Sequence, residues 1–127
     1  EYDYFTTSRG ILEKNNPEST EFNVFPSFLD LIKKGDWGRW ADKKDGQLHV
    51  AFISTNDITG GNSGSPVFDK NGRVFGLAFD GNWEAMSGDI EFEPQLQRTI
   101  VVDIRYVLFT IDKWGKCSRL IQELSLR

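Results

Sequence analysis

Cysteine is nearly absent: Cys117 stands alone in 127 residues, so no internal disulfide forms and no cysteine spacing suggests a metal site. Histidine is as scarce. His49 is the one imidazole, at the start of an apolar run that reads as a strand, and a lone histidine there is structural or solvent-facing far more often than catalytic. No apolar run in these 127 residues is long enough to cross a bilayer, and none of them is expected to belong to a signal peptide. The chain opens on Glu1-Tyr2-Asp3-Tyr4 without a methionine, and the expectation is an excised portion of a larger protein. Acids and bases are interspersed around a formal net charge of −4, which gives no basic face for nucleic acid or an anionic membrane. At 39% the apolar share is low for a free-standing globule, which suits a piece that leans on something else, although ten Phe and four Trp supply large apolar surfaces.

What the chain does have is punctuation by glycine. Residues 1–23 are polar with little periodicity, and Thr6-Thr7-Ser8-Arg9-Gly10 and Lys14-Asn15-Asn16-Pro17-Glu18-Ser19 read as turns or extended loop. Ser27-Phe28-Leu29-Asp30 then opens a short helix, with Ser27 as the expected cap, Phe28, Leu31 and Ile32 on one face, Lys33 and Lys34 at the negative end of the dipole, and Gly35 as the stop. Phe25, Trp37 and Trp40 could form an aromatic cage, but inward packing is the preferred reading. Leu48 to Ser54 reads as a strand buried on both faces. Pro66-Val67-Phe68 is a second strand, Asp69-Lys70-Asn71-Gly72 a hairpin turn rather than a calcium loop, and Arg73 to Phe79 the return strand, broken by Asp80-Gly81-Asn82. A turn at Ser87-Gly88-Asp89, an extension over Ile90 to Phe92 and a last strand over Thr99 to Val102 follow. Asp103 caps a helix through Ile104, Leu108 and Ile111, and a second short helix carries Cys117, Leu120, Ile121 and Leu124.

The stretch that points to chemistry is Thr59-Gly60-Gly61-Asn62-Ser63-Gly64-Ser65-Pro66-Val67. Glycines around a serine let the backbone turn sharply and approach a ligand. A serine held there presents its hydroxyl outward while the Gly61 and Ser63 amides form an oxyanion hole, which makes Ser63 the candidate nucleophile. The same residue types also compose ordinary loops. The longer string resembles the nucleophile motif of chymotrypsin-like serine peptidases, with Asn62 where many relatives carry aspartate. It is not the elbow of the α/β-hydrolases, which needs glycine where this chain has Ser65.

Segments on either side of the serine loop, most of them between Ser54 and Val107, narrow the resemblance. The run from Ser54 through Pro66, Phe79-Asp80-Gly81-Asn82-Trp83-Glu84 and Asp103-Ile104-Arg105-Tyr106-Val107-Leu108, with Glu13-Lys14-Asn15-Asn16-Pro17 and Ile111-Asp112-Lys113, resembles the C-terminal end of the bacterial dipeptidyl-peptidase 7 and 11 family, serine peptidase family 46. The chain departs from that pattern at Trp114 to Ser118. The implied fold is mainly β: part of the C-terminal β-barrel of a chymotrypsin-like double-barrel peptidase, with short helices including a C-terminal one. Residues 1–47 would be a polar extended segment and short helix packing on the barrel. Residues 48–127 would be the barrel portion carrying the nucleophile and ending in helices.

The activity implied is removal of dipeptides from the free N-terminus of peptides, with no cofactor and no metal. Ser63 would be the nucleophile, Gly61 an oxyanion-hole amide, Asp80 the carboxylate that grips the substrate's α-ammonium group, and Gly81 the residue that sets the specificity pocket. Acidic-specific relatives carry arginine at the place of Gly81, so its absence implies a hydrophobic preference before the cut. The catalytic His and Asp would lie in the first barrel, so this chain alone is expected to be inactive. Expected partners are peptide substrates, the missing barrel and helical domain, and a second copy of the protein in a homodimer. A periplasmic or cell-surface location is implied by the resemblance alone.

Two other readings stay open. One is a glutamyl-endopeptidase-like protease, which needs no ammonium-binding carboxylate at Asp80 and would need a pocket for acidic side chains. The other is a non-catalytic β-domain used for binding or assembly.

Overall fold

A computed structural model describes residues 3–82 and 95–126. The expected turn at Ser87-Gly88-Asp89, the extension over Ile90 to Phe92 and the Trp83-Glu84 pair lie outside the described residues. Five strands form one sheet: β1 (Phe5–Thr7), β2 (His49–Ser54), β3 (Pro66–Phe68), β4 (Val74–Gly81) and β5 (Thr99–Asp103), in the spatial order β1-β2-β5-β4-β3. The β2/β5, β4/β5 and β3/β4 pairs are antiparallel. Short helices make up the rest: α1 (Ser8–Lys14), α2 (Pro26–Lys34), a 3-10 turn (Gly38–Trp40), α3 (Ile104–Phe109), a π-helical turn (Thr110–Trp114) and α4 (Ser118–Glu123). None of the described helices is long and apolar enough to cross a membrane.

The chain packs as two compact units, one of residues 1–5 and 50–104, the other of 6–49 and 105–127. Sequence suggested one boundary, at 47/48; the contacts interleave the segments, because strands and helices distant along the chain pack together. In the first unit the apolar core gathers Val67 from β3, Ala78 from β4 and Val101 from β5, with Phe52 and Ile58 against it. Gly76 on β4 belongs to this packing. A Cβ there would stand 2.4 Å from Val101 Cγ1 and 2.9 Å from the Val102 carbonyl oxygen, so only glycine fits without displacement. The Asp69–Gly72 turn forms as the sequence predicts: Asp69 Oδ1 accepts from the amides of Asn71 and Arg73, and Gly72 takes φ 74°.

In the second unit an aromatic ladder forms the core. Phe28 packs edge-on against Tyr106, Phe109 and Trp114, Trp37 packs edge-on against Phe109, and Trp40 is buried with its indole N–H donating to Asp112 Oδ2 at 2.9 Å. Gly35 ends α2 in the left-handed region at φ 69° and returns its N–H to the Leu31 carbonyl, as expected.

Five local expectations are corrected. Residues 5–14 are a strand and a helix, not a loop, because their backbone bonds reach far along the chain: Ser8 N–H donates to Leu48 O at 3.0 Å and Ile53 N–H to Tyr4 O at 2.9 Å. Ser27 does not cap α2. Pro26 already occupies the first turn, and the Ser27 hydroxyl accepts instead from Trp114 Nε1 at 3.1 Å. Phe25 is not inward-facing; it stacks on Trp114 and remains 68% exposed. β2 is not buried on both faces, since Ile53 is exposed. Asp80-Gly81 does not break the return strand: β4 continues through both residues after a bulge.

Candidate active site

The serine loop joins β2 to β3 and consists of two consecutive turns that share Asn62. In the first, Asn62 N–H donates to Thr59 O at 3.1 Å, with Gly61 third in the turn at φ 96°. In the second, Ser65 N–H donates to Asn62 O at 2.9 Å, with Gly64 third at φ 87°. A turn of this type demands positive φ at its third residue, which explains why glycine stands at both places. The loop is tied to β4 by Gly64 N–H to Ala78 O at 2.7 Å and Ala78 N–H to Ser65 O at 2.9 Å.

Ser63 occupies the exposed second position of the second turn. Its hydroxyl donates to Phe79 O at 3.3 Å, a long bond to a backbone carbonyl and not to a base. That carbonyl is placed by the bulge. Ala78 pairs with Val101 and Asp80 with the adjacent Ile100, so Phe79 is an extra residue in β4 and the ladder is locally disrupted there. Sequence placed the end of the hairpin level with Ser63, and the structure puts it there; the bulge itself had no sequence signal.

The loop amides divide into two sets. Those of Thr59, Asn62, Gly64 and Ser65 all donate to protein acceptors. Those of Gly60, Gly61 and Ser63 meet no acceptor among the described residues, and of these the Gly61 and Ser63 amides flank Asn62. Next along β4, Asp80 is exposed, its Oδ1 accepts from Gly81 N–H at 2.8 Å, and its second oxygen meets no donor among the described residues. Asn82 anchors the following segment: its N–H donates to Arg98 O at 2.9 Å, its Oδ1 accepts from Arg98 N–H at 2.8 Å, and its Nδ2 donates to Leu96 O at 2.8 Å. Thus Ser63, Gly61, Asp80 and Gly81 belong to one unit and lie on its serine loop and the end of β4.

His49 belongs to the other unit, and its Nε2 lies 2.8 Å from Asp45 Oδ2. Asp42, Asp45 and His49 each bring one ligand-type atom within 4.8 Å of the others, a grouping that sequence spacing did not reveal. Protein donors hold these carboxylates: Arg105 Nη1 and Lys44 N–H on Asp42 at 2.6 and 2.7 Å, and Gln47 N–H on Asp45 at 2.9 Å. The Arg105 hydrogen bond is the main reason that Asp42 titrates at about 2 instead of its ordinary 3.8. His49, followed by Gln47 N–H, likewise lowers Asp45. This network ties residues 42–49 to Arg105 inside the second unit.

The family model for Peptidase S46 matches residues 1–126, nearly the whole chain. This chain belongs to the peptidase S46 family. Among S46 relatives, dipeptidyl-peptidase 7 of Porphyromonas gingivalis is 71% identical over 125 residues, which are 98% of this chain and 17% of that protein. The Asp/Glu-specific dipeptidyl-peptidase of the same organism is 48% identical over 125 residues, again 98% of this chain and 17% of that protein. The crystal structure of Porphyromonas endodontalis DPP11 superposes with a TM-score of 0.94 at 44% identity, covering 99% of this chain and 18% of that one. The chain therefore spans about one sixth of the S46 relatives it matches.

Proposed function

We propose that this chain supplies the nucleophile-bearing part of a serine-type dipeptidyl peptidase that releases dipeptides from the free N-terminus of peptides. The observation that carries the reading is the pair of open amides, Gly61 and Ser63, on either side of Asn62 in a loop whose other amides from Asn62 to Ser65 are satisfied. Ser63 Oγ attacks the carbonyl of the second substrate residue while a base outside this chain takes its proton, and the oxyanion accepts from the two amides. The shortened peptide leaves as an amine, and water then releases the dipeptide from the acyl-enzyme. The open oxygen of Asp80 supplies what an exopeptidase needs in addition, a carboxylate for the α-ammonium group.

Gly81 leaves the pocket without a side chain or charge, which favours an apolar residue before the cut. The 71% identity to a dipeptidyl-peptidase 7, against 48% to an Asp/Glu-specific relative, supports the same preference. A serine hydroxyl without a base is a weak nucleophile, and the Ser63 hydroxyl bonds a backbone carbonyl and not a base, so the chain by itself is inactive. The location we assign is the periplasm or cell surface. The test is hydrolysis by the full-length protein of one dipeptide reporter, apolar before the scissile bond, with its N-terminus free or blocked. Cleavage of the free form alone is expected. Equal cleavage of both would make the protein an endopeptidase.

A further inference from the structure

The two turns of the serine loop meet at one side chain. Asn62 Oδ1 accepts from Thr59 N–H at 2.7 Å and lies 3.4 Å from Thr59 Oγ1, while the Asn62 N–H donates to Thr59 O at 3.1 Å. Residues 59 and 62 are thus joined in both directions, and Asn62 O then accepts from Ser65 to start the next turn. Between the joined residues lie Gly60 and Gly61. The peptide that links them carries the Gly61 N–H, and with no side chain on either side little local steric hindrance prevents that plane from rotating. The Ser63 N–H belongs to the peptide immediately after Asn62.

We infer that Asn62 is a positioning residue for the reaction: its side-chain oxygen, held by Thr59, fixes the two peptide planes that present the Gly61 and Ser63 amides. The inference rests on the reading of Ser63 as nucleophile. It adds that the carboxamide nitrogen is dispensable, because both side-chain contacts use Oδ1. Aspartate offers the same acceptor at the same length and alanine offers none, so the inference predicts different kcat for the two substitutions, and the split between kcat and KM separates positioning from mere packing. The amides act chiefly on the developing oxyanion and not on the bound substrate, so loosening them lowers kcat more than it raises KM.

The experiment compares Asn62→Ala and Asn62→Asp in the full-length protein, reading kcat, KM, melting temperature and labelling of Ser63 by a fluorophosphonate. Asn62→Ala is expected to lose about 10- to 100-fold in kcat, the range that misplacement of a catalytic group produces, with KM within about threefold. Asn62→Asp is expected to retain kcat within about fivefold, since it keeps the acceptor. Unchanged kcat in Asn62→Ala, or equal loss in both variants, overturns the inference. If Asn62→Ala does not fold, Asn62→Asp decides alone: near-native kcat upholds the oxygen-only clamp, and a loss as deep as that of Ser63→Ala overturns it. Absence of a Ser63 adduct in the wild type, with activity surviving Ser63→Ala, would mark failure of the underlying nucleophile reading instead.

Discussion

In the unit formed by residues 1–5 and 50–104, the Gly61 and Ser63 amides and one oxygen of Asp80 meet no protein partner among the described residues. In the unit formed by residues 6–49 and 105–127, the carboxylates of Asp42, Asp45 and Asp112 each hold a side-chain partner at 2.6, 2.8 and 2.9 Å. The contrast is physical before it is functional. An open amide or carboxylate costs little where water reaches it and much where it is buried. The serine loop is exposed, so its open donors are tolerated and stay available to a substrate. Trp40 is buried and its indole N–H is closed on Asp112, whereas Asp45 is itself exposed and its pairing with His49 is not forced by burial.

The largest expected effects fall on the open side of this comparison. Asp80→Ala should lower kcat/KM on free-ended dipeptidyl reporters by about 10- to 100-fold, the equivalent of one charge-assisted hydrogen bond. Unchanged kinetics on those reporters would remove Asp80 from substrate binding. Gly81→Arg should move preference towards Asp or Glu before the cut by about tenfold, one favourable charge pairing. A panel of reporters differing only at that residue reads the shift, and an unaltered panel would place Gly81 outside the pocket.

Smaller effects should fall on the scaffold. Gly76→Ala forces a Cβ to within 2.4 Å of Val101 Cγ1 and 2.9 Å of Val102 O. Overpacking of that kind costs about 1–3 kcal/mol, read as a lower melting temperature; an unshifted melt would mean that β5 yields freely. The smallest is a pH effect in the closed unit. Asp42 titrates at about 2, below its ordinary 3.8, so its ionised form stabilises the folded state above that ordinary value. This contribution is lost as pH falls through about 2. Wild-type melting temperature should therefore drop more steeply between about pH 4 and 2 than that of Asp42→Asn, and parallel curves would deny the Arg105 pair any part in stability.

The serine loop, the Asp69–Gly72 hairpin and the end of α2 at Gly35 were legible in sequence because each depends on a residue with special backbone freedom. Gly61, Gly64, Gly72 and Gly35 all adopt positive φ. What escaped is held by partners distant in sequence or by register. Ile53 N–H donates to Tyr4 O just before β1, and Ser8 N–H at the start of α1 donates to Leu48 O, each across more than thirty positions, and no local pattern in a polar stretch announces that. The Phe79 bulge is a property of the pairing between β4 and β5, invisible in either strand alone. Asp42, Asp45 and His49 lie close together in sequence, with Asp45 and His49 four positions apart, and only the arrival of Arg105 at Asp42 depends on chain return. Ser63 stood out by the residues of its loop and Asp80 and Gly81 by the family resemblance, while the clamp from Asn62 to Thr59 emerged only from hydrogen bonds.

The central claim is that Ser63 is the reacting group. Treating the full-length protein with a fluorophosphonate and locating the adduct by peptide mass spectrometry tests it most directly, since attack of a serine oxygen on phosphorus expels fluoride and leaves a stable ester. A single adduct on Ser63, absent from Ser63→Ala together with peptidase activity, is the predicted result. An adduct on Ser65 or elsewhere, with hydrolysis undiminished in Ser63→Ala, would contradict it.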